Sequence, residues 1–380
     1  MFKAVILAQM SAIRKVPFFD YPRIYLDDKQ ELIEILEDVG SRGAYIMQKD
    51  LAEFEKKLAN YTKSDYAIGV GNATDGLELA WLAIGLKKGD EVIISSHTML
   101  ATASAIITAG GTPVPVDIGE DNLIDVDAVA NAITKNTVGI SPTQLNGRTC
   151  DMESIMAIAV RNGLSVVEDA AQALGSKFKN QSAGTFGDAG SFSFFPAKVL
   201  GALGDGGGVV TNKKEIYEKV FQLHDHGRDT KGEVQSWGRN SRLDNLQAAI
   251  LSKRFDRYES VIKRRRNIAK IYNERLSVLE EVKLPPAPIE NGDHFDIYQN
   301  YELQAENRDA LRNHISNAGV GTIIQWGGKA VHQWEVLGFN TRLPKTEYFF
   351  ERCFMLPMNL FISDEDVHYV CDSIINFYRK

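Results

Sequence analysis

Cysteine is nearly missing from this sequence. Only Cys150, Cys353 and Cys371 occur in 380 residues. Their number is odd and their spacing is neither CxxC nor zinc-like, so a disulfide framework is excluded and no metal site is expected. Long apolar runs are also missing, and no stretch has enough consecutive apolar residues to span a bilayer. The first residues, Met1 to Met10, are mildly apolar but short and lack a secretory cleavage pattern. Met10 offers an alternative start. Basic runs are scarce. The densest, Lys263-Arg264-Arg265-Arg266, lies inside a helical pattern and reads as a solvated helix face or a subunit contact. With a net charge of −7, bulk nucleic-acid binding is not expected. No internal repeat or low-complexity segment occurs. These absences leave a reduced, cytoplasmic protein bound to neither membrane nor nucleic acid.

What is present is ordinary globular composition: 44% hydrophobic and 24% charged residues lie far from the disordered and collagen-like extremes. The length exceeds what one core usually fills. From Tyr66 onward, short Val- and Ile-rich runs alternate with helical patterns. The runs are Ala67–Val70, Glu91–Ser95, Thr112–Asp117, Thr137–Pro142, Leu164–Glu168, Gly190–Phe194 and Gly208–Thr211. Helices are expected over Gly76–Leu86, Leu100–Ala109, Asp125–Ile133, Met152–Asn162 and Glu215–His226. This alternation indicates βαβ units and a mainly parallel sheet covered on both faces. A single long helix, about Leu243–Arg275, links this part to a smaller α+β part, with Pro285-Pro286 and Pro288 ending the linking region. The division is a large domain over 1–260, including the N-terminal segment, and a small one over 261–380.

In an open α/β sheet, ligands bind beyond the carboxyl ends of the strands. Three segments there carry chemistry. Gly69-Val70-Gly71-Asn72-Ala73-Thr74-Asp75-Gly76 ends a strand and opens a helix. It is either an anion site of backbone N–H groups or a tight turn in which Thr74 or Asn72 caps the helix. Thr74 stands where a dinucleotide fingerprint has its third glycine. Asp169, in VVEDAAQ, either caps the next helix or faces a cationic ring nitrogen. Lys198, in SFSFFPAK before LGDGGG, is either a solvated charge or a desolvated amine with a lowered pKa, fit to form a Schiff base. Ser193 precedes it closely enough to share a phosphate with Thr74. Together they supply a phosphate cradle, a ring-nitrogen partner and a reactive lysine, the set that pyridoxal phosphate needs.

The stretches GNATDGLELA, GDEVIISSHTMLATASAI, VEDAAQALGS, GTFGDAGSFSFFPAKVLGALGDGGGVVTN and GRNSRLDNLQAAIL resemble the DegT/DnrJ/EryC1/StrS family of sugar aminotransferases, from about Tyr45 to Pro357. The resemblance implies the aspartate aminotransferase-like fold (fold type I), with a mainly parallel, mixed seven-stranded sheet, and a homodimer with shared active sites. It implies pyridoxal 5'-phosphate as cofactor, with Lys198 and Asp169 catalytic and Gln172 against the ring or its phenolic oxygen. The phosphate would be held by Thr74, the backbone of Asp75, Ser193 and Asn240 of the neighbouring subunit. His332 matches a family histidine near the substrate that also crosses the interface. At the ring-covering position stands Met99 instead of an aromatic, and either His97 or Met99 covers the ring. QLNGR at 144–148 and QWGG at 325–328 also depart from the family pattern. The implied reaction moves an amino group from glutamate to a C3 or C4 ketone of a nucleotide-linked deoxysugar, in amino-sugar and polysaccharide, lipopolysaccharide or O-antigen biosynthesis. Arg148, Arg228 and Lys329 are the expected cations for the diphosphate. Three other readings compete. A sugar dehydratase of the same family would carry histidine in place of Lys198. A nicotinamide-dependent oxidoreductase would leave the Lys198 segment unexplained. A non-catalytic regulator would not need the intact Lys198 and Asp169.

Overall fold

The computed structural model describes residues 14–379; the alternative start at Met10 lies outside them. The large sheet has the seven expected strands: β1 Tyr66–Val70, β2 Glu91–Ser95, β3 Thr112–Val116, β4 Thr137–Ser141, β5 Ser165–Asp169, β6 Ala189–Ser193 and β7 Gly207–Thr211. Their spatial order is β1-β7-β6-β5-β4-β2-β3. Only β7 runs against its neighbours, and every other pairing is parallel. Successive residues Val92, Ile93 and Ile94 are all fully buried, as strands covered on both faces require. This is the mixed α/β sheet of fold type I.

Two helices that the strand–helix alternation does not announce precede the sheet, α1 Tyr21–Arg42 and α2 Lys49–Thr62. The crossovers contain α3 Ala73–Ile84, α4 Leu100–Thr108, α5 Val126–Asn131 and α6 Met152–Asn162, and α7 Lys214–His224 follows β7. Helix α6 matches its expected bounds because its ends are written in the sequence. Asp151 accepts from the N–H of Ser154, and Gly163 closes the other end in the left-handed region. Helix α3 starts three residues before Gly76, the expected start, because Asn72 takes the cap.

The single helix expected over Leu243–Arg275 is two helices, α8 Asn245–Phe255 and α9 Tyr258–Leu276. No Pro or Gly marks the break. Asp28 of α1 accepts from both Arg254 and Arg257, and Arg257 leaves the helical region at φ −109°, ψ 6°. A tertiary ion pair therefore sets the break, beyond the reach of any local pattern.

Helix α9 belongs to two cores. Tyr258 and Ile262 pack with α2 and β7. Ile268, Tyr272 and Leu276 pack with the C-terminal part. There, Val282–Lys283, Tyr301–Ala305 and Cys353–Leu356 form a three-stranded antiparallel sheet. The solvated-face reading of the arginine run fails for Arg265 and Arg266, which are 8% and 9% exposed. Arg265 donates to the carbonyls of Tyr298, Gln299 and Met358, and Arg266 to those of Asp296 and Ile289. Buried guanidinium groups persist because these carbonyls satisfy their donors. Among the described residues, no helix is long and apolar enough to cross a membrane.

Candidate active site

The three segments singled out by sequence meet at the carboxyl ends of β1, β5 and β6. At the first, Asn72 Oδ1 accepts from Asp75 N–H at 2.9 Å. The backbone N–H expected to bind phosphate is thus engaged by the cap, and the free donors of the turn are those of Ala73 and Thr74. The Asp75 carboxylate instead accepts from Ser241 Oγ at 2.7 Å. Strands β6 and β7 pass beneath this turn. Ser191 Oγ donates to the carbonyl of Ala73, and Ser193 pairs with Gly207 in the sheet. A Cβ on Gly207 would lie 2.5 Å from the carbonyl carbon of Asn72, so only glycine allows the strand this close. Thr74 and Ser193 therefore flank one helix N-terminus.

Asp169 ends β5 and is 4% exposed. Its Oδ2 accepts from Thr102 Oγ1 at 2.6 Å and its Oδ1 from Ala171 N–H at 3.1 Å. Thr98 and Thr143 extend the hydroxyl chain behind Thr102. Two donors leave half of a carboxylate's accepting capacity unused. Burial raises the Asp169 pKa, while Thr102, Ala171 and the charge of Lys198 oppose the rise. Lys198 feels Asp169 in return. Burial lowers its pKa to about 8, and Asp169 resists that shift. The residue keeps some exposed surface, but its ammonium end is deeply enclosed. Gln299 brackets it, accepting from Val199 N–H and donating to the carbonyl of Ala197, each at 2.9 Å.

Gln172 is half-buried, with Oε1 accepting from the N–H of Asn146 at 2.8 Å. Met99 is 49% exposed, whereas His97 is 1% exposed. His97 lies against Phe349, with ring centroids 4.4 Å apart, and is tied to Asn122 O and Glu302. Asn240 is exposed, its backbone paired with that of Asp225.

The expected substrate residues differ in exposure. His332 is 6% exposed. Its Nδ1 is 2.6 Å from Ser96 Oγ and its Nε2 is 3.4 Å from Glu347. Burial lowers its pKa against the pull of Glu347. Arg148 is half-buried and ion-paired with Asp296 at 2.6 Å. Arg228 is exposed in the loop before Asn240, and the exposed Lys329 lies 5.1 Å over the ring of Trp334. No hydrogen bond or ion pair joins these cations among the described residues.

Sequence reasoning missed Glu168, which is fully buried beside Asp169. It accepts from Gln144 Nε2 and the N–H groups of Gly184, Phe186 and Gly187. Its signal was the double carboxylate of VVEDAAQ. On a strand, neighbours point to opposite faces, so only one of the pair reaches the site. Gln299 and Glu302 gave no local signal.

Pyridoxal phosphate fits these residues. The raised pKa of Asp169 marks a buried carboxylate short of a cation, which a protonated ring nitrogen would supply. Burial brings the Lys198 pKa down to about 8, so its free amine is within reach close to neutral pH, and Thr74 and Ser193 flank a small-residue cradle for phosphate.

The chain is 37% identical over 371 residues to the "Pleiotropic regulatory protein" of Geobacillus stearothermophilus, covering 96% of this chain and 99% of that protein. It is 37% identical over 314 residues to the dTDP-3-amino-3,4,6-trideoxy-alpha-D-glucose transaminase of Streptomyces venezuelae, covering 82% of each. The crystal structure of S. venezuelae DesV in complex with a ketimine intermediate superposes with a TM-score of 0.92 at 34% identity, over 96% of this chain and 99% of that one. The model of the DegT/DnrJ/EryC1/StrS aminotransferase family matches residues 26–375, which spans both cores and every strand-end residue above; the chain belongs to this family.

Proposed function

We propose that this protein is a pyridoxal-phosphate-dependent aminotransferase that places an amino group on a C3 or C4 ketone of a nucleotide-linked deoxysugar, with L-glutamate as donor. The observation that carries this reading is the placing of Asp169 and Lys198 beyond the carboxyl ends of the paired strands β5 and β6, where the charge of each opposes the shift that burial imposes on the other. The cofactor supplies an electrophilic carbon and a ring that absorbs carbanion charge. Lys198, with its proton held only up to about pH 8, serves as the amine that anchors the cofactor and then as the base and acid that moves a proton at the donor carbon. Asp169, oriented by Thr102 and Ala171, keeps the ring nitrogen protonated. Gln172 contacts the phenolic oxygen, and Thr74 and Ser193 hold the phosphate. Met99 covers the ring, a role supported by its exposure and by the burial of His97.

The exposed Asn240 supports a homodimer in which this residue reaches the phosphate held by the neighbouring subunit. Arg228 and Lys329 are the better cations for the diphosphate, since Asp296 already neutralises Arg148. The test is incubation of the holoenzyme with glutamate and a panel of 3-keto and 4-keto nucleotide sugars, read by mass spectrometry. The expected product carries an amino group in place of the ketone oxygen, with 2-oxoglutarate formed in equal amount. No amine from any member of the panel, with cofactor fully bound, overturns the substrate class.

A further inference from the structure

Behind Gln172 lies a buried polar network that the proposed chemistry does not use. Gln172 Oε1 accepts from the backbone N–H of Asn146 at 2.8 Å and from Asn300 Nδ2 at 3.4 Å. A backbone N–H can only donate, so the amide is fixed with its oxygen toward Asn146 and its N–H groups turned away. Asn146 stands in the left-handed region at φ 56°, ψ 15°, a conformation that asparagine tolerates better than most residues. Its side chain is held at both ends. Oδ1 accepts from Asn300 at 2.8 Å and from Gln325 at 3.0 Å, while Nδ2 donates to Glu302 Oε2 at 2.7 Å. Gln325 donates to the same carboxylate oxygen at 3.0 Å.

Glu302 is where these donors converge. It is 4% exposed. Burial pushes its pKa up, but His97, Asn146 and Gln325 outweigh burial and leave the carboxyl below its ordinary value. His97 Nε2 is 3.3 Å from Oε2. The thiol of Cys353, raised chiefly by burial, also feels Glu302, and a cavity lined by Glu302, His97 and Asn146 is bordered too by Arg148 and Asp296. An ionised carboxylate accepts only, so it dictates which way the Asn146 and Gln325 amides point. Asn300 lines both this cavity and the one that contains Lys198.

We propose that Glu302 is a positioning residue for the cofactor: by fixing Asn146, and through it Asn300, it holds Gln172 with an N–H directed at the phenolic oxygen. This rests on Gln172 being the partner of that oxygen. A donor there stabilises the phenolate, so the cofactor–Lys198 linkage gives up its proton at lower pH than it otherwise would.

The experiment is a pH titration of the visible absorption band of the holoenzyme. Gln172→Ala is expected to raise the midpoint by about half a pH unit or more, the size of one modest hydrogen bond. Glu302→Leu should raise it in the same direction, Glu302→Gln should restore most of the shift, and Glu302→Leu should add nothing in a Gln172→Ala background. That lack of additivity is what a general packing defect would not produce. If Gln172→Ala leaves the midpoint unchanged, the assignment of Gln172 fails. If Gln172→Ala shifts it and Glu302→Leu does not, or if the two shifts add, the role of Glu302 is overturned. Should Glu302→Leu not fold, Asn300→Ala replaces it, and an unshifted midpoint there has the same meaning.

Discussion

Glu168 and Asp169 are consecutive carboxylates on β5, both buried, and they serve opposite faces of the sheet. Glu168 is saturated by one side-chain amide and the N–H groups of Gly184, Phe186 and Gly187. It fastens the loop that leads into β6, and so indirectly sets where Ser193 and Lys198 emerge. Asp169 accepts from one hydroxyl and one N–H and keeps capacity for a cation. Burial raises the pKa of both. The same residue chemistry is structural where every lone pair is used, and reactive where some are left open.

The sharpest way to break this comparison is to neutralise the open carboxylate. Asp169→Asn should lower kcat by about 10²–10³-fold, as loss of a key electrostatic partner does, while shifting unfolding free energy by less than about 1 kcal/mol. Steady-state kinetics beside urea unfolding decides it, and near-normal turnover would place the ring partner elsewhere. On the other face the pattern should invert. Glu168→Ala strands three backbone N–H donors and the Gln144 amide and should cost about 3 kcal/mol or more in stability, read as an earlier urea midpoint. An unchanged midpoint would mean that water replaces the carboxylate freely.

A gentler test uses pH. With the Lys198 pKa lowered to about 8, the unprotonated amine needed to capture cofactor accumulates as pH rises toward that value. Cofactor uptake by the apoprotein should therefore accelerate with pH and level off above about 8, as followed by stopped-flow absorbance. A rate that keeps climbing toward the ordinary lysine range would mean the amine is not desolvated. Gly207→Ala should raise the cofactor dissociation constant about tenfold, because the new methyl crowds the turn at Asn72. Affinity within error of the parent would show that the turn yields. Smallest is Met99→Ala, for which loss of a thioether–ring contact should weaken cofactor binding about two- to fivefold.

The floor of the site was legible because strand ends are local features. Short apolar runs alternating with helical patterns marked β1 to β7, and the strand-end rule then pointed to Thr74, Asp169 and Lys198 before any resemblance was invoked. The walls were not legible. Arg265 and Arg266 look solvated in sequence because their partners are carbonyls at 289–299 and 358, far along the chain. The break between α8 and α9 depends on Asp28 of α1. Glu302 sits in an otherwise unremarked strand, and its partners come from three distant segments. Met99 and His97 differ sharply in burial, and no local pattern shows it, since residues two apart on a strand-to-helix turn can differ widely in exposure.

Gln299 was introduced as a bracket around Lys198, but its backbone carbonyl also accepts from Arg265 at 2.6 Å. The two halves of the molecule are thus bolted together at the reactive lysine itself, through α9. Charge-assisted hydrogen bonds of this kind contribute about 1.5–3 kcal/mol each, and several would break if the C-terminal part swung as a lid. The lysine and its bracket therefore stand as one rigid wall of the site, anchored in both halves of the molecule.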